Sequence, residues 1–113
     1  MTVYTILKQA NHDYSAAEKY GNLSVLFPLG VNVVDVNVIL DAAGDWFSDF
    51  DFEDDIFMPI GNPIIVSIVT ICLVEEMALR GKDTVNMLEW DKYSREYVVK
   101  EVEINHYEGQ TDE

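Results

Sequence analysis

The longest uncharged stretch of the sequence, residues 56–74, is the strongest constraint on how this chain folds. Its second part, residues 64–74, is almost entirely apolar and has to be buried. These eleven residues are too few to cross a bilayer as a helix, which needs about 20. Pro59 and Gly61 interrupt the part before them. The stretch therefore predicts a core element and no membrane association.

The residues that flank this stretch predict that it is a helix. Asn62 is a typical N-cap because its side chain accepts backbone N–H bonds, and Pro63 suits the first helical position because it needs no N–H partner. Gly81 is typical of a helix end. The many β-branched residues in between also suit a strand. Only the caps favour a helix over residues 63–80, which, being apolar on all sides, would lie at the centre of the domain.

The segment from residue 31 to residue 50 has two interpretations. Alternating valines over residues 31–40 suit a strand, whereas the apolar spacing over residues 36–50 suits a helix with Asp35 as N-cap. Gly44 costs such a helix about 1 kcal/mol relative to Ala. We predict the helix because it accounts for more residues. The apolar face of this helix comprises Ile39, Ala42, Ala43, Trp46, Phe47 and Phe50. Residues 51–61 are predicted to form a loop.

The two ends of the chain complete the prediction. Residues 84–91 and 96–105 read as the arms of a β-hairpin, and residues 23–29 as a short strand. Near the N-terminus, apolar residues recur at steps of three and four, which predicts an amphipathic helix. They are Val3, Ile6, Leu7, Ala10, Tyr14 and Ala17.

We therefore predict a single small α+β domain over residues 1–107, followed by a frayed acidic tail over residues 108–113. Helices would surround the buried apolar helix, and an antiparallel β-hairpin would end the domain. A chain of 113 residues, 49% of them hydrophobic, supports one core but not two. Cys72 is the only cysteine and lies in the apolar run, so we expect a buried thiol in a reducing, cytoplasmic compartment.

Charge is distributed very unevenly along the chain. The formal net charge is −14, and none of the seven Lys and Arg residues lies between residues 20 and 79. Seven carboxylates fall between Asp41 and Asp55 alone. Direct binding of nucleic acid needs clustered Lys and Arg and is not expected. A protein acidic only for solubility could instead spread its charge and pair it.

The predicted helix would arrange part of this charge as a row. Asp41, Asp45 and Asp49 are four residues apart, which places successive carboxylates about 6 Å apart along one side. Each such pair destabilises a helix by about 0.2–0.5 kcal/mol. Further acids crowd the helix C-terminus, where the helix dipole disfavours negative charge. They are Asp51, Glu53, Asp54 and Asp55.

A row of carboxylates at this spacing is comparable to the phosphates along a nucleic-acid strand, which lie about 3.4 Å apart along the axis. The hypothesis is a non-catalytic acidic inhibitor that occupies the Lys/Arg channel of a DNA- or RNA-binding protein, such as a nuclease or effector complex. Antirestriction and anti-CRISPR inhibitors of phages and plasmids use this strategy, and the analogy is one of charge and size. The inhibitor would act in the cytoplasm, the host's if a phage encodes it. The predicted partner-binding residues are Asp41, Asp45, Asp49, Asp51, Glu53, Asp54, Asp55 and, as an apolar anchor, Phe52.

Two other interpretations remain open. An acidic run is often only a solvated face. The chain can also be a structural or adaptor protein that forms a homo-oligomer, for example a homodimer, through helix 63–80 or the hairpin edge.

Motifs of catalysis are absent from the sequence. It has no glycine-rich phosphate loop, no GxSxG and no CxxC. The run that begins at Asp49 departs from a calcium loop, because Asp54 replaces the sixth-position Gly and Ile60 the twelfth-position Glu. We therefore expect no enzymatic activity, metal or cofactor, and a protein as partner rather than a nucleic acid or a membrane.

Overall fold

A five-stranded β-sheet organises the protein, whose computed structural model describes residues 1–7, 15–27 and 35–104. The strands are β1 (Thr2–Leu7), β2 (Asn22–Phe27), β3 (Ile56–Met58), β4 (Thr84–Asp91) and β5 (Glu96–Glu103). Their order is β2-β1-β3-β4-β5, with parallel pairing up to β4 and an antiparallel β4–β5 hairpin. Three helices join them: α1 (Ser15–Glu18), α2 (Val36–Phe47) and α3 (Pro63–Leu79). The predicted α+β class with a C-terminal hairpin is confirmed.

Helix α3 forms where its caps predict it. The side chain of Asn62 accepts a 2.9 Å hydrogen bond from the backbone N–H of Ile64, and Pro63 occupies the first turn. Its buried side, lined by Ile65, Val69, Cys72, Leu73 and Met77, shares one core with residues of the sheet and of helix α2. Its outer side leaves three large apolar residues exposed, namely Ile64 (69%), Ile71 (56%) and Leu79 (82%).

Helix α2 packs beside α3 over the same face of the sheet. Asp35 caps it as predicted, accepting a 2.9 Å hydrogen bond from the N–H of Asn37. Ile39, Ala43 and Phe47 are buried, and Ala42 and Trp46 pack against the same core. The helix ends at Phe47, three residues before the predicted end.

The opposite face of the sheet carries a smaller core. Val3, Ile56, Met58, Leu88 and Tyr97 are buried there, and Ala17 of α1 packs on them. The hydroxyl of Tyr20 donates a 2.6 Å hydrogen bond to the carbonyl of Tyr97. Central strands are therefore buried on both faces, as in parallel sheets generally.

The predicted N-terminal helix is wrong over Val3, Ile6 and Leu7, which belong to strand β1 in the middle of the sheet. Val3 contributes to one core and Ile6 to the other, so apolar residues on both sides hid the alternation typical of a strand. Ala17 lies in a separate short helix, α1. Ala10 and Tyr14 lie outside the described residues.

The loop predicted over residues 51–61 is wrong in its middle, because Ile56–Met58 forms strand β3. Three fully buried residues are too short a run to show a periodic pattern. The ends of the predicted strand 23–29 and hairpin arm 96–105, and the predicted tail 108–113, lie outside the described residues. In the described part of the chain, no helix is long and apolar enough to cross a membrane.

Candidate functional site

Helix α2 presents its acidic residues to solvent. Asp41 and Asp45 are exposed on the side away from the core residues Ile39 and Ala43. Asp49 is also exposed, but it lies in the turn after the helix, beyond the C-cap Ser48. The predicted row is therefore carried by the helix at its first two positions and by a turn at its third.

The chain then forms a tight turn that exposes Asp51, Glu53 and Asp54. The carbonyl of Asp51 accepts the N–H groups of Asp54 (3.2 Å) and Asp55 (2.8 Å). One side-chain oxygen of Asp51 accepts the N–H of Glu53 at 2.9 Å. These bonds fix the turn internally. The acidic surface is defined from here on as Asp41, Asp45, Asp49, Asp51, Glu53 and Asp54.

Asp55, a predicted contact residue, is instead buried, with only 8% of its surface exposed. Its two carboxylate oxygens accept the N–H of Thr2 at 3.0 Å and the N–H of Asp51 at 2.9 Å. It therefore joins the acidic turn to strand β1, and a partner cannot reach it in this structure. Its sequence context is as acidic as that of its neighbours, so no signal in the sequence distinguished it.

Phe52, the predicted apolar anchor, is also inside the protein, at 5% exposure. Its ring packs edge-on against Phe50, with 5.0 Å between the ring centroids. The guanidinium of Arg80 lies over the Phe52 ring, with its central carbon 5.1 Å from the ring centroid. Phe52 thus supports the acidic turn from below and is not available as an interface anchor.

The aromatic residues interleaved with the acids form the floor of this region. Tyr4 contacts Trp46 and Phe50, with ring centroids 4.9 and 4.8 Å apart. The indole N–H of Trp46 donates a 3.0 Å hydrogen bond to the hydroxyl of Ser24. Burial raises the pKa of Tyr4, and the negative charges of Asp55 and Asp49 raise it further. The field of the carboxylates therefore extends into the core beneath them.

The sequence analysis did not single out Arg80, which the structure places beside this region. Its Nη2 donates to the carbonyls of Phe47 (2.6 Å) and Ser48 (3.0 Å), and its Nη1 donates to the carbonyl of Phe50. Its Nε donates to Glu76 at 2.7 Å. The available signal was its isolation, because it is the only Lys or Arg between residues 20 and 81.

A second cation lies at the rim of the acidic surface. Lys82 Nζ is 3.9 Å from a carboxylate oxygen of Glu53, whose side chain is largely exposed, while that of Lys82 is partly exposed. Such an exposed pair contributes at most about 1 kcal/mol and is screened by salt. Among the residues that the structure describes, no group of three or more His, Cys, Asp or Glu side chains is arranged to hold a metal ion.

Comparison with known proteins identifies a family that matches most of the chain. Residues 2–106 match the family model described as "Phage Pam3 gp32-like protein". The matched range includes the whole acidic surface and all five strands of the sheet. No curated protein and no solved structure matches the chain.

Proposed function

We propose that this chain, which belongs to the Phage Pam3 gp32-like protein family, is a non-catalytic inhibitor that presents phosphate-like carboxylates to a DNA- or RNA-binding protein. Membership of this family indicates that the chain is a small protein of phage type. The inhibitory role rests on the acidic surface. The proposed class is that of phage proteins that block host nucleases or effector complexes.

One observation carries the proposal: six exposed carboxylates lie on a helix and an internally hydrogen-bonded turn, over a packed aromatic floor. Asp41 and Asp45, one helical turn apart, are separated by about 6 Å along the axis of α2. A partner channel lined with Lys and Arg would meet a fixed array of negative charge there, as it does on nucleic acid.

Keeping this array has an energetic cost. Negative charge near the C-terminus of α2 opposes the helix dipole, which already places partial negative charge there. The nearby Arg80 binds backbone carbonyls and Glu76 rather than these carboxylates, and the Lys82–Glu53 pair offsets little of the repulsion. Local rules that a sequence breaks without compensation are typical of functional sites.

Salt-dependent capture from a bacterial host lysate tests the proposal. The wild-type chain should retain a nucleic-acid-binding protein at low salt, release it at high salt, and lose it to an added DNA duplex. The D41N/D45N/D49N variant should lose retention by at least about tenfold, since the charge-assisted contacts it removes are each worth about 1.5–3 kcal/mol.

The control is E101Q/E103Q/E108Q, which removes the same number of charges at the other end of the chain. Glu101 and Glu103 are exposed on strand β5. This control should retain the captured protein almost as well as the wild type. Equal losses in both variants would contradict the proposal, because they would show that net charge alone is responsible.

A structural or adaptor role is the second candidate, and the outer side of α3 favours it. Ile64, Ile71 and Leu79 are all more than half exposed there. A homo-oligomer that buried them would persist at high salt, because apolar contacts are not screened. Light scattering at low and high salt tests this role: I71E should dissociate such an oligomer, and a wild-type monomer would count against it.

A further inference from the structure

Arg80 differs in what it binds from the other Lys and Arg side chains whose ion pairs the described part of the chain shows. Four of its N–H groups donate hydrogen bonds, three of them to backbone carbonyls of Phe47, Ser48 and Phe50. These carbonyls belong to the last residue of α2 and to the turn that follows. Arg80 itself is the C-cap of α3. One side chain thus joins the ends of both helices.

The bonded carbonyls include groups that a helix leaves without intrahelical partners. The last carbonyls of an α-helix have no N–H donor within the helix, and they carry the negative end of the helix dipole. A cation that donates to them offsets part of that charge. The carbonyl of Phe47 accepts the N–H of Phe50 in the following turn (3.0 Å) as well as Arg80. Arg80 therefore stabilises the C-terminus of α2, where nearby negative charge is unfavourable because of the helix dipole. It does not neutralise the exposed carboxylates, because its hydrogen bonds go to backbone carbonyls and to Glu76.

We propose that Arg80 is the positioning residue of the acidic surface: it fixes the backbone of residues 47–50, and through Phe52 the turn that follows, so that the carboxylates keep one geometry. The inference rests on the proposed function, because a positioned array matters only if a partner reads it. A planar guanidinium is suited to this role, since its rigid fork of donors reaches several carbonyls at once.

The first test is hydrogen exchange in the free protein. Arg80→Gln and Arg80→Lys should speed amide exchange over residues 48–54 by roughly tenfold, with little change in strand β1. Lys82→Gln is the matched control, because it removes one positive charge two residues away, together with the screened pair with Glu53, and leaves the bonds to these carbonyls in place. Faster exchange confined to 48–54 in both Arg80 variants supports the inference. Exchange unchanged there, or raised equally throughout the sheet, overturns it.

The second test uses binding, where positioning and simple charge predict opposite signs. The probe is a fluorescent alanine-based helical peptide with Arg at every fourth position, whose guanidinium groups recur about every 6 Å. Removing a positive charge should tighten binding of this cation if only net charge counts, as we expect for Lys82→Gln. Arg80→Gln should instead weaken binding, by roughly tenfold, if the carboxylates lose their geometry.

Binding to Arg80→Gln that equals or exceeds wild-type binding overturns the inference. The D41N/D45N/D49N variant separates this result from failure of the proposed function. If that variant binds the probe as tightly as the wild type, the acidic surface is not the binding site and the proposed function fails. The exchange experiment then still decides whether Arg80 orders the turn.

Discussion

Asp51 and Asp55 lie four residues apart in the same acidic turn and have different structural roles. Asp51 is exposed and belongs to the acidic surface, whereas Asp55 is buried and accepts two backbone N–H groups, of Thr2 and of Asp51 itself. A carboxylate has acceptors only, so it satisfies both donors at once. The buried residue therefore holds in place the turn that carries the exposed one.

Asp55→Asn should destabilise the protein by about 1–3 kcal/mol, because the amide replaces one acceptor with an NH₂ donor that faces a backbone N–H. The change keeps the size and shape of the side chain, so it isolates the two hydrogen bonds. Urea denaturation measures the free energy of unfolding. Asp54→Asn, at an exposed position of the same turn, should change it by no more than about 0.5 kcal/mol. Similar effects in both variants would contradict the role assigned to Asp55.

Individual residues show where sequence analysis stops. Exposure of Asp41, Asp45 and Asp49 was predictable from helical spacing, since the apolar residues between them had to face the core. Burial of Asp55 and Phe52 was not, because Asp55 binds Thr2 of strand β1, 53 residues away in sequence, and Phe52 lies beneath the guanidinium of Arg80 at the end of α3. The carbonyls bound by Arg80 are likewise about 30 residues distant.

Gly44 and Gly81 have similar space around them but differ in backbone conformation. Gly44 lies inside α2 and Gly81 just beyond α3, and a Cβ added at either would meet no atom within 4 Å. Gly81 has φ +66°, the left-handed region that side chains disfavour. An alanine would therefore fit sterically at both positions, but only at position 81 would its backbone be strained.

Gly44→Ala should stabilise the protein by about 0.5–1 kcal/mol, the usual difference in a helix interior. Gly81→Ala should destabilise it by about 1–2 kcal/mol, because Ala pays for the left-handed conformation. Thermal and urea unfolding of both variants provide the measurement. A loss of stability in Gly44→Ala would mean that the helix over residues 36–47 is not the stable form of this segment.

Elements with local signals were predicted, and elements defined by distant neighbours were not. The caps Asp35 and Asn62 gave the starts of α2 and α3, and both act as caps. Strand β1 was mistaken for a helix and β3 for a loop, because both are buried among other strands and neither shows alternation. A parallel sheet is assembled from such pieces, and its order is set by contacts between elements rather than by patterns within them.

At the scale of the whole molecule, charge and shape act against each other. A net charge of −14 is confined to a domain with a Cα radius of gyration of 14.7 Å. The Debye length is about 30 Å at 0.01 M salt and about 8 Å at 0.15 M. At low salt every carboxylate therefore repels every other, and folding brings them closer together than they are in the unfolded chain.

The free energy of unfolding should accordingly rise when NaCl is increased from 0.01 to 0.3 M, as measured by urea denaturation. D41N/D45N/D49N should be more stable than the wild type at low salt, by about 0.5–1.5 kcal/mol for one relieved i,i+4 pair within α2 and one negative charge removed beyond its C-terminus, and the gain should shrink at high salt. E101Q/E103Q/E108Q removes the same number of charges and should gain less, because it leaves that row intact. Reduced binding together with increased stability in the first variant is the combination that a functional, electrostatically costly surface requires. A wild-type protein that salt destabilises would show that attractive ion pairs, such as Lys82 with Glu53, outweigh the repulsion.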